Sequence, residues 1–235
     1  MEFTLLGAAA LAAAAAWLML WWEARHGNAD RCSGNLWETV LLAAMAGLFI
    51  GRLATMLANG TNPLTNPGDV VLVRGGVSTM VAPLAAMAVF LIASRREPVA
   101  MSDGIAAAAL AGLAGWHSGC LVRDACLGTA TDLPWALTQQ GSNVGRHPVE
   151  LYAAVLFAIA AVAIAAWKAH GRPPPGVPAS LAVAAAAAIR LVTEPMRPSL
   201  GGGPVWFYAA CIVAGLIGAG WFWRRARRGR GAAPT

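Results

Sequence analysis

Long apolar runs separated by short polar segments cover most of this chain. Seven of them approach the roughly 20 apolar residues that an α-helix needs to cross the hydrocarbon core of a bilayer. They lie at about 3–22, 37–58, 77–94, 102–122, 148–167, 177–194 and 204–223. Segments rich in Asn, Gly and Pro mark turns between them. The pattern therefore predicts an all-α polytopic membrane protein with seven transmembrane helices.

The composition points to the same class. Of the 235 residues, 58% are hydrophobic and 12% are charged, whereas a soluble domain carries roughly 25% charged residues. The mean hydropathy is +0.59. These values exclude a soluble globular enzyme, a disordered segment and a secreted disulfide scaffold. Because seven spans leave little chain for anything else, we predict a single integral membrane domain over residues 1–235.

The distribution of Lys and Arg predicts the orientation. If the N-terminus lies outside, eleven basic residues fall on the cytoplasmic side and four on the outer side. This split agrees with the positive-inside rule, so the N-terminus is predicted outside and the C-terminus cytoplasmic. Five of the eleven are arginines of the tail, about 224–235. Beside a helix of this kind they indicate contact with anionic lipid headgroups and not with nucleic acid.

Ionisable and other polar residues gather near the outer ends of the predicted helices. Such residues inside a membrane usually face the bundle interior or a wet cavity, and they often mark a functional site. Two structural explanations stay open. Arg190 and Glu194, four positions apart, can neutralise each other on one helix face, and Arg52 can extend towards the outer surface. Because the set lies at one depth and also includes His117 and Glu150, the functional interpretation is favoured.

Two further patterns concern packing and redox state. Gly47 and Gly51, like Gly115 and Gly119, have the small-residue spacing that lets helices approach closely. The two cysteines at 120 and 126 fall on the outer side, where a disulfide can form. They belong to no paired metal-ligand pattern, so no metal site is predicted.

The loop after the fourth run carries the most specific motifs. It contains Thr131-Asp132-Leu133-Pro134-Trp135-Ala136 and then Arg146-His147-Pro148-Val149-Glu150-Leu151-Tyr152. Together these segments resemble the bacterial prolipoprotein diacylglyceryl transferase family, in which a TDLPWA-type segment precedes an RHP-x-Q-L-Y-type segment at the head of a helix. Residues 47–53, 74–78 and 189–198 resemble further family segments in the same order. The family's seven-helix topology with an outside N-terminus matches the prediction above.

The resemblance implies an enzyme of lipoprotein maturation in the bacterial inner membrane. Its reaction moves a diacylglyceryl group from phosphatidylglycerol to the lipobox cysteine of a preprolipoprotein, releases glycerol phosphate and needs no cofactor. Arginine suits the phosphate because its planar fork pairs with two oxygens, and the thiol needs a base or a positive field to ionise. We therefore predict as catalytic residues Arg190, His147, Glu194 and His117, and as substrate-binding residues Arg146, Arg197, Arg52, Asp132, Glu150 and Tyr152.

Some family segments are altered here. Met80-Val81-Ala82 stands where family members usually carry His-Gly-Gly, and Trp116 or His117 replaces the arginine of a Gly-Arg-x-Gly-Asn signature. The alternative is therefore a catalytically inactive homologue that serves as a lipid-binding or accessory subunit, with a membrane-protein partner. A transporter or proton-relay protein is a third hypothesis, although no repeat between the two halves of the chain supports it.

Overall fold

The computed structural model describes residues 2–26, 34–65, 68–69, 76–78, 80–123, 126–139, 141–197 and 203–231. The helices are α1 (Glu2–His26), α2 (Leu36–Ala58), α3 (Val81–Ala93), α4 (Pro98–Ser118), α5 (Cys120–Arg123), α6 (Val149–Gly171), α7 (Val177–Thr193) and α8 (Val205–Gly231). A 3-10 turn, Glu194–Met196, follows α7. Two short antiparallel strands, β1 (Leu137–Thr138) and β2 (Gly145–Arg146), lie in the loop before α6. Within the described ranges the chain is predominantly helical, as the sequence predicts.

Six of the described helices are long and apolar enough to cross a membrane, namely α1, α2, α4, α6, α7 and α8. They support the predicted class of polytopic membrane protein. The third apolar run differs, because α3 covers 13 residues and not the predicted 77–94. Ser78 sets its beginning, since its hydroxyl accepts a hydrogen bond from the Val81 N–H at 3.2 Å.

The chain divides into two compact units. The first comprises residues 3–31 and 102–235, and the second comprises residues 32–101. In the first unit, Phe157 and Leu110 are almost fully buried among alanines of α4, α6 and α7. Short alanine side chains let these helices approach closely, as small residues do in membrane proteins generally.

The predicted glycine spacings lie at helix contacts. Gly115 of α4 faces the backbone of Leu11, and Gly119, just after α4, faces Ala8, so a Cβ atom on either glycine collides with α1. In the second unit, a Cβ on Gly47 lies 2.7 Å from the Ala82 carbonyl oxygen of α3. Gly51 faces the same turn of α3. Both spacings therefore serve packing.

Arg52 lies in the second unit and is 6% exposed. Its Nε and Nη2 donate to the Asp69 carbonyl oxygen at 3.1 and 2.9 Å, and Nη1 donates to the Gly76 carbonyl oxygen at 3.1 Å. These bonds tie α2 to two segments that precede α3. The structure thus places this predicted substrate-binding residue against backbone carbonyls of its own unit.

A buried ion pair joins helices at one end of the first unit. Lys168 Nζ lies 2.5 Å from Glu23 Oε1, and the two side chains are 4% and 1% exposed. Nearby, the Asp103 carboxylate accepts hydrogen bonds from the Gly176 and Ala179 N–H groups at 2.6 and 3.0 Å. That carboxylate satisfies backbone donors at the beginning of α7 that have no partner within the helix. The cluster connects α1, α4, α6 and α7.

Candidate active site

Six polar side chains form one continuous network near the other end of the first unit. They come from α4, α6, α7, α8, the 3-10 turn and the residue that follows this turn. In order of contact they are His117, Glu150, Arg197, Glu194, Arg190 and Tyr208. Along α6, Glu150 lies about 27 Å from Lys168, which pairs with Glu23. The unit therefore carries polar clusters at both ends of its helices.

The contact between His117 and Glu150 joins α4 to α6. His117 Nδ1 lies 2.5 Å from Glu150 Oε2, and the two side chains are 7% and 11% exposed. The imidazole also stacks on Phe157, with 5.2 Å between ring centroids. The histidine lies in the last turn of α4 and the glutamate in the first turn of α6. Helix dipoles favour a cation and an anion at these respective positions.

Pro195 explains why Arg197 reaches this pair. Proline has no N–H and cannot continue an α-helix, so the chain tightens into a 3-10 turn and then extends at Arg197. The Arg197 N–H donates to the Glu194 carbonyl oxygen at 3.0 Å. The guanidinium then contacts the Glu150 carboxylate and lies 4.0 Å from Glu194 Oε2. One turn thus brings a cation to carboxylates of two different elements.

Arg190 and Glu194 form the ion pair that their i,i+4 spacing predicts. Arg190 Nη2 lies 3.2 Å from Glu194 Oε2. The Tyr208 hydroxyl oxygen lies 3.3 Å from the same Nη2 and 3.5 Å from the same carboxylate oxygen. The Arg190 Cζ atom is 5.7 Å from the centre of the tyrosine ring, within the range of a cation–π interaction.

Tyr208 is a site residue that the sequence analysis missed. It is 4% exposed and lies at the beginning of α8. One signal was available, since the chain has two tyrosines and a buried phenol usually needs a hydrogen-bond partner. No motif connects this position to Arg190, however, and the two residues meet only in the folded bundle.

The loop before α6 is attached to the network by backbone hydrogen bonds. Gly128 N–H donates to the His147 carbonyl oxygen at 2.7 Å, and His147 N–H donates to the Thr129 carbonyl oxygen at 3.0 Å. Thr129 N–H donates to the Met196 carbonyl oxygen at 2.8 Å. Because Met196 precedes Arg197, these bonds hold that arginine's backbone in place.

Cys120 and Cys126 form a disulfide, the pairing that the sequence analysis left open. Both residues are buried. The bond ties the first residue of α5, Cys120, to Cys126, which lies two positions before Gly128. It therefore restrains the loop that contacts Met196.

Three predicted residues lie in this loop or beside it. The Arg146 guanidinium donates to the Gly128 carbonyl oxygen at 3.2 Å. His147 has a buried Nδ1 for which the described residues provide no hydrogen-bond partner. Asp132 is exposed. None of the three contributes to the six-residue network described above.

Tyr152 makes a separate contact on α6. Its hydroxyl oxygen accepts a hydrogen bond from Trp135 Nε1 at 2.7 Å, and its ring meets the His147 ring edge-on at 6.1 Å. Of the ten predicted site residues, the structure therefore brings five into one network: Arg190, Glu194, His117, Arg197 and Glu150. Of the other five, Tyr152 lies on α6 and Arg52 in the second unit. The remaining three lie in the loop or beside it, namely Arg146, His147 and Asp132.

The network balances its charges and offers two kinds of chemistry. Two guanidinium groups alternate with two carboxylates, so neither sign is left uncompensated in a buried setting where an unpaired charge is costly. The arginines can pair with phosphate oxygens, and the imidazole can exchange a proton. Among the described residues, no group of three or more His, Cys, Asp or Glu side chains is arranged to hold a metal ion.

The fold and the network together define a polytopic membrane protein with a buried Arg-Glu-His site near the ends of its helices. Residues 5–223 match the sequence profile of the prolipoprotein diacylglyceryl transferase family. The chain therefore belongs to this family, which confirms the resemblance seen in the loop motifs.

Three relatives named phosphatidylglycerol–prolipoprotein diacylglyceryl transferase illustrate the similarity. The protein of Cupriavidus metallidurans is 30% identical over 72% of this chain and 68% of its own length. That of Leptothrix cholodnii is 30% identical over 60% of this chain and 56% of its own length. That of Methylobacillus flagellatus is 26% identical over 63% of this chain and 57% of its own length. The chain thus matches less than two thirds of the length of two of these relatives.

Proposed function

We propose that this chain transfers the diacylglyceryl group of phosphatidylglycerol to the lipobox cysteine of a preprolipoprotein. The observation that carries the proposal is the network in which Arg190 and Arg197 share Glu194 while His117 pairs with Glu150. Family membership and the names of the three relatives support it further. The network supplies a cationic group for the phosphate and a proton acceptor for the thiol.

The two arginines bind the phosphodiester of the lipid. Both guanidinium groups lie within 4.0 Å of Glu194 Oε2, so a phosphate bound beside this carboxylate contacts both cations. Tyr208 is a positioning residue, because its hydroxyl oxygen lies within 3.5 Å of Arg190 Nη2 and of Glu194 Oε2. Two planar forks on one phosphate orient the reacting carbon and disperse the negative charge that the leaving group gains.

His117 moves the proton. The thiol gives its proton to the imidazole, and the thiolate attacks the glyceryl carbon that bears the phosphate. The carbon–oxygen bond breaks, a thioether forms, and the imidazole passes the proton to the departing phosphate oxygen, so glycerol phosphate leaves. Glu150 holds Nδ1 and leaves Nε2 as the atom for proton exchange, as a carboxylate does for histidine in other enzymes. This arrangement favours His117 over His147, whose Nδ1 has no partner among the described residues.

We further propose seven spans, with the N-terminus outside and the C-terminus cytoplasmic. Gly115 of α4 faces Leu11 of α1, and Gly119, just after α4, faces Ala8 of α1, so these helices are antiparallel. The chain must then return to the same side of the membrane between α1 and α4. Because α2 is long enough to cross, the segment containing α3 crosses back. With the N-terminus outside, we propose that the network lies at the outer side of a bacterial inner membrane.

Arginine variants test this assignment. Arg190→Ala removes a phosphate ligand, and Arg190→Lys keeps the charge but loses the planar fork. We expect the first to abolish lipid transfer and the second to retain a small fraction of it. Arg225→Ala, an exposed arginine on α8, is the control and leaves the rate unchanged. Full activity of folded Arg190→Ala protein contradicts the role; folded wild-type protein that binds lipid without turnover supports the accessory-subunit alternative.

A further inference from the structure

The loop before α6 exposes three large apolar side chains within five positions. Leu133 is 38% exposed, Trp135 is 57% exposed and Leu137 is 39% exposed. We call these residues the loop patch. Exposed apolar groups that cluster in this way usually mark a surface that contacts a partner or a membrane. The transfer reaction proposed above gives the loop patch no role.

The loop patch is fixed to the first turn of α6. Trp135 Nε1 donates a hydrogen bond to the Tyr152 hydroxyl oxygen at 2.7 Å. Tyr152 lies about 4.5 Å along the axis from Val149, the first residue of the helix. A tryptophan hydrogen-bonded to a tyrosine near the end of an apolar helix is typical of the aromatic belt at a membrane interface.

From this contact, the apolar surface continues along α6 toward the C-terminus of the helix. Val155, Leu156 and Ile159 are 57%, 37% and 60% exposed. They follow Tyr152 by three, four and seven positions, so all four residues lie on one face of the helix. The most apolar 18-residue stretch of α6 has a mean hydropathy of 2.3, and an exposed apolar face on such a helix contacts lipid. The loop patch extends this lipid-facing surface beyond the helix end.

We propose that the loop patch lies in the boundary between headgroups and acyl chains of the leaflet next to the candidate active site. The unbroken apolar face that runs from Ile159 to Trp135 favours lipid as the occupant over a protein. Leu133 and Leu137 lie on either side of the tryptophan in the chain, and no charged residue occurs between them. The same loop holds Met196 through Thr129, so its depth sets the depth of the network.

Nitroxide labels measure that depth directly. Leu137→Cys and Leu133→Cys are introduced one at a time into full-length protein carrying Cys32→Ala and Cys211→Ala, which leaves the native disulfide intact. Asn143→Cys is the control, because it is an exposed polar residue of the same loop. Each variant is reconstituted into phospholipid nanodiscs, and the accessibility of its label to oxygen and to a water-soluble nickel chelate is compared.

We expect the labels at 133 and 137 to be more accessible to oxygen than to nickel, and the label at 143 to show the reverse. Greater nickel access at both leucine positions overturns the proposal. Protection from nickel that appears only after a lipobox peptide is added also overturns it, because the loop patch is then a peptide-binding surface. The measurement does not use enzymatic turnover, so its failure is distinguishable from failure of the proposed reaction.

Discussion

His117 Nδ1 lies 2.5 Å from Glu150 Oε2, although the two residues are 33 positions apart in the chain. The same carboxylate also contacts Arg197. One glutamate therefore orients both the group that we propose to carry the proton and one of the groups that we propose to bind phosphate. This shared contact links the proposed proton transfer to the proposed binding of phosphate.

Glu150→Gln should weaken both of these functions. The amide keeps the size of the side chain but loses the charge that orients the imidazole and attracts Arg197. We expect kcat for lipid transfer to fall about 100-fold, the lower end of the range for a disrupted acid–base group. Transfer to a lipobox peptide is measured by mass spectrometry. An unchanged kcat shows that the carboxylate does not act in the reaction.

A double-mutant cycle tests whether His117 and Glu150 act as a unit. If the glutamate works through the imidazole, His117→Asn and Glu150→Gln have non-additive effects, because residues in direct contact are coupled. Because Glu150 also contacts Arg197, we expect the double variant to be slower than His117→Asn alone, but by a smaller factor than Glu150→Gln causes in the wild type. Losses that multiply in the double variant mean that the two side chains contribute independently.

Tyr208→Phe removes a hydroxyl group near both Arg190 and Glu194 while keeping the aromatic ring. A hydrogen bond to a charged group contributes about 1.5–3 kcal/mol, so we expect at least a tenfold loss in kcat/KM for phosphatidylglycerol. Phe207→Leu, which alters the neighbouring aromatic residue on α8, serves as the control. Equal losses in the two variants would point to a general packing effect and not to positioning of Arg190.

The Glu23–Lys168 pair should matter for stability more than for chemistry. Lys168→Met leaves the glutamate buried without its cation, and breaking one partner of a buried pair costs about 3–5 kcal/mol. Changing both residues, Glu23→Leu with Lys168→Met, removes the unpaired charge and should recover much of this loss. Unfolding in detergent is followed for the wild type and both variants. A double variant no more stable than Lys168→Met argues against a charge effect.

The disulfide should stabilise the loop that holds Met196. Closing the short loop between Cys120 and Cys126 contributes about 2 kcal/mol in the chain-entropy description. We expect Cys120→Ser with Cys126→Ser to unfold at a lower temperature and to show faster hydrogen exchange at the Thr129 N–H. Peptide mapping without reductant must also recover the two cysteines linked in the wild type. Recovery of both as free thiols contradicts the pairing.

The helices were predictable because apolar runs of about 20 residues have few alternatives in a membrane protein. The i,i+4 pair of Arg190 and Glu194 was predictable for a similar reason, since helix geometry alone brings such residues together. The beginning of α3 was not, because it depends on a hydrogen bond from the Val81 N–H to the Ser78 hydroxyl. Hydropathy does not register such a bond.

Contacts between distant segments could not be derived from local pattern. Glu23 and Lys168 each look like a charge at the end of a helix, and only the packing of α1 against α6 buries them together. Tyr208 belongs to an apolar run whose composition gives no reason to connect it with Arg190. His147 was predicted from its motif, whereas the imidazole with a carboxylate partner is that of His117.

The most direct measurement of the central claim is a transfer assay with purified wild-type protein, phosphatidylglycerol and a lipobox peptide. The proposed reaction predicts a diacylglyceryl adduct on the peptide cysteine and release of glycerol phosphate in equal amount. An active relative provides the positive control, and a peptide with serine in place of the cysteine provides the negative control. Absence of the adduct, with folded protein and a working positive control, contradicts the assignment of this network as a transferase active site.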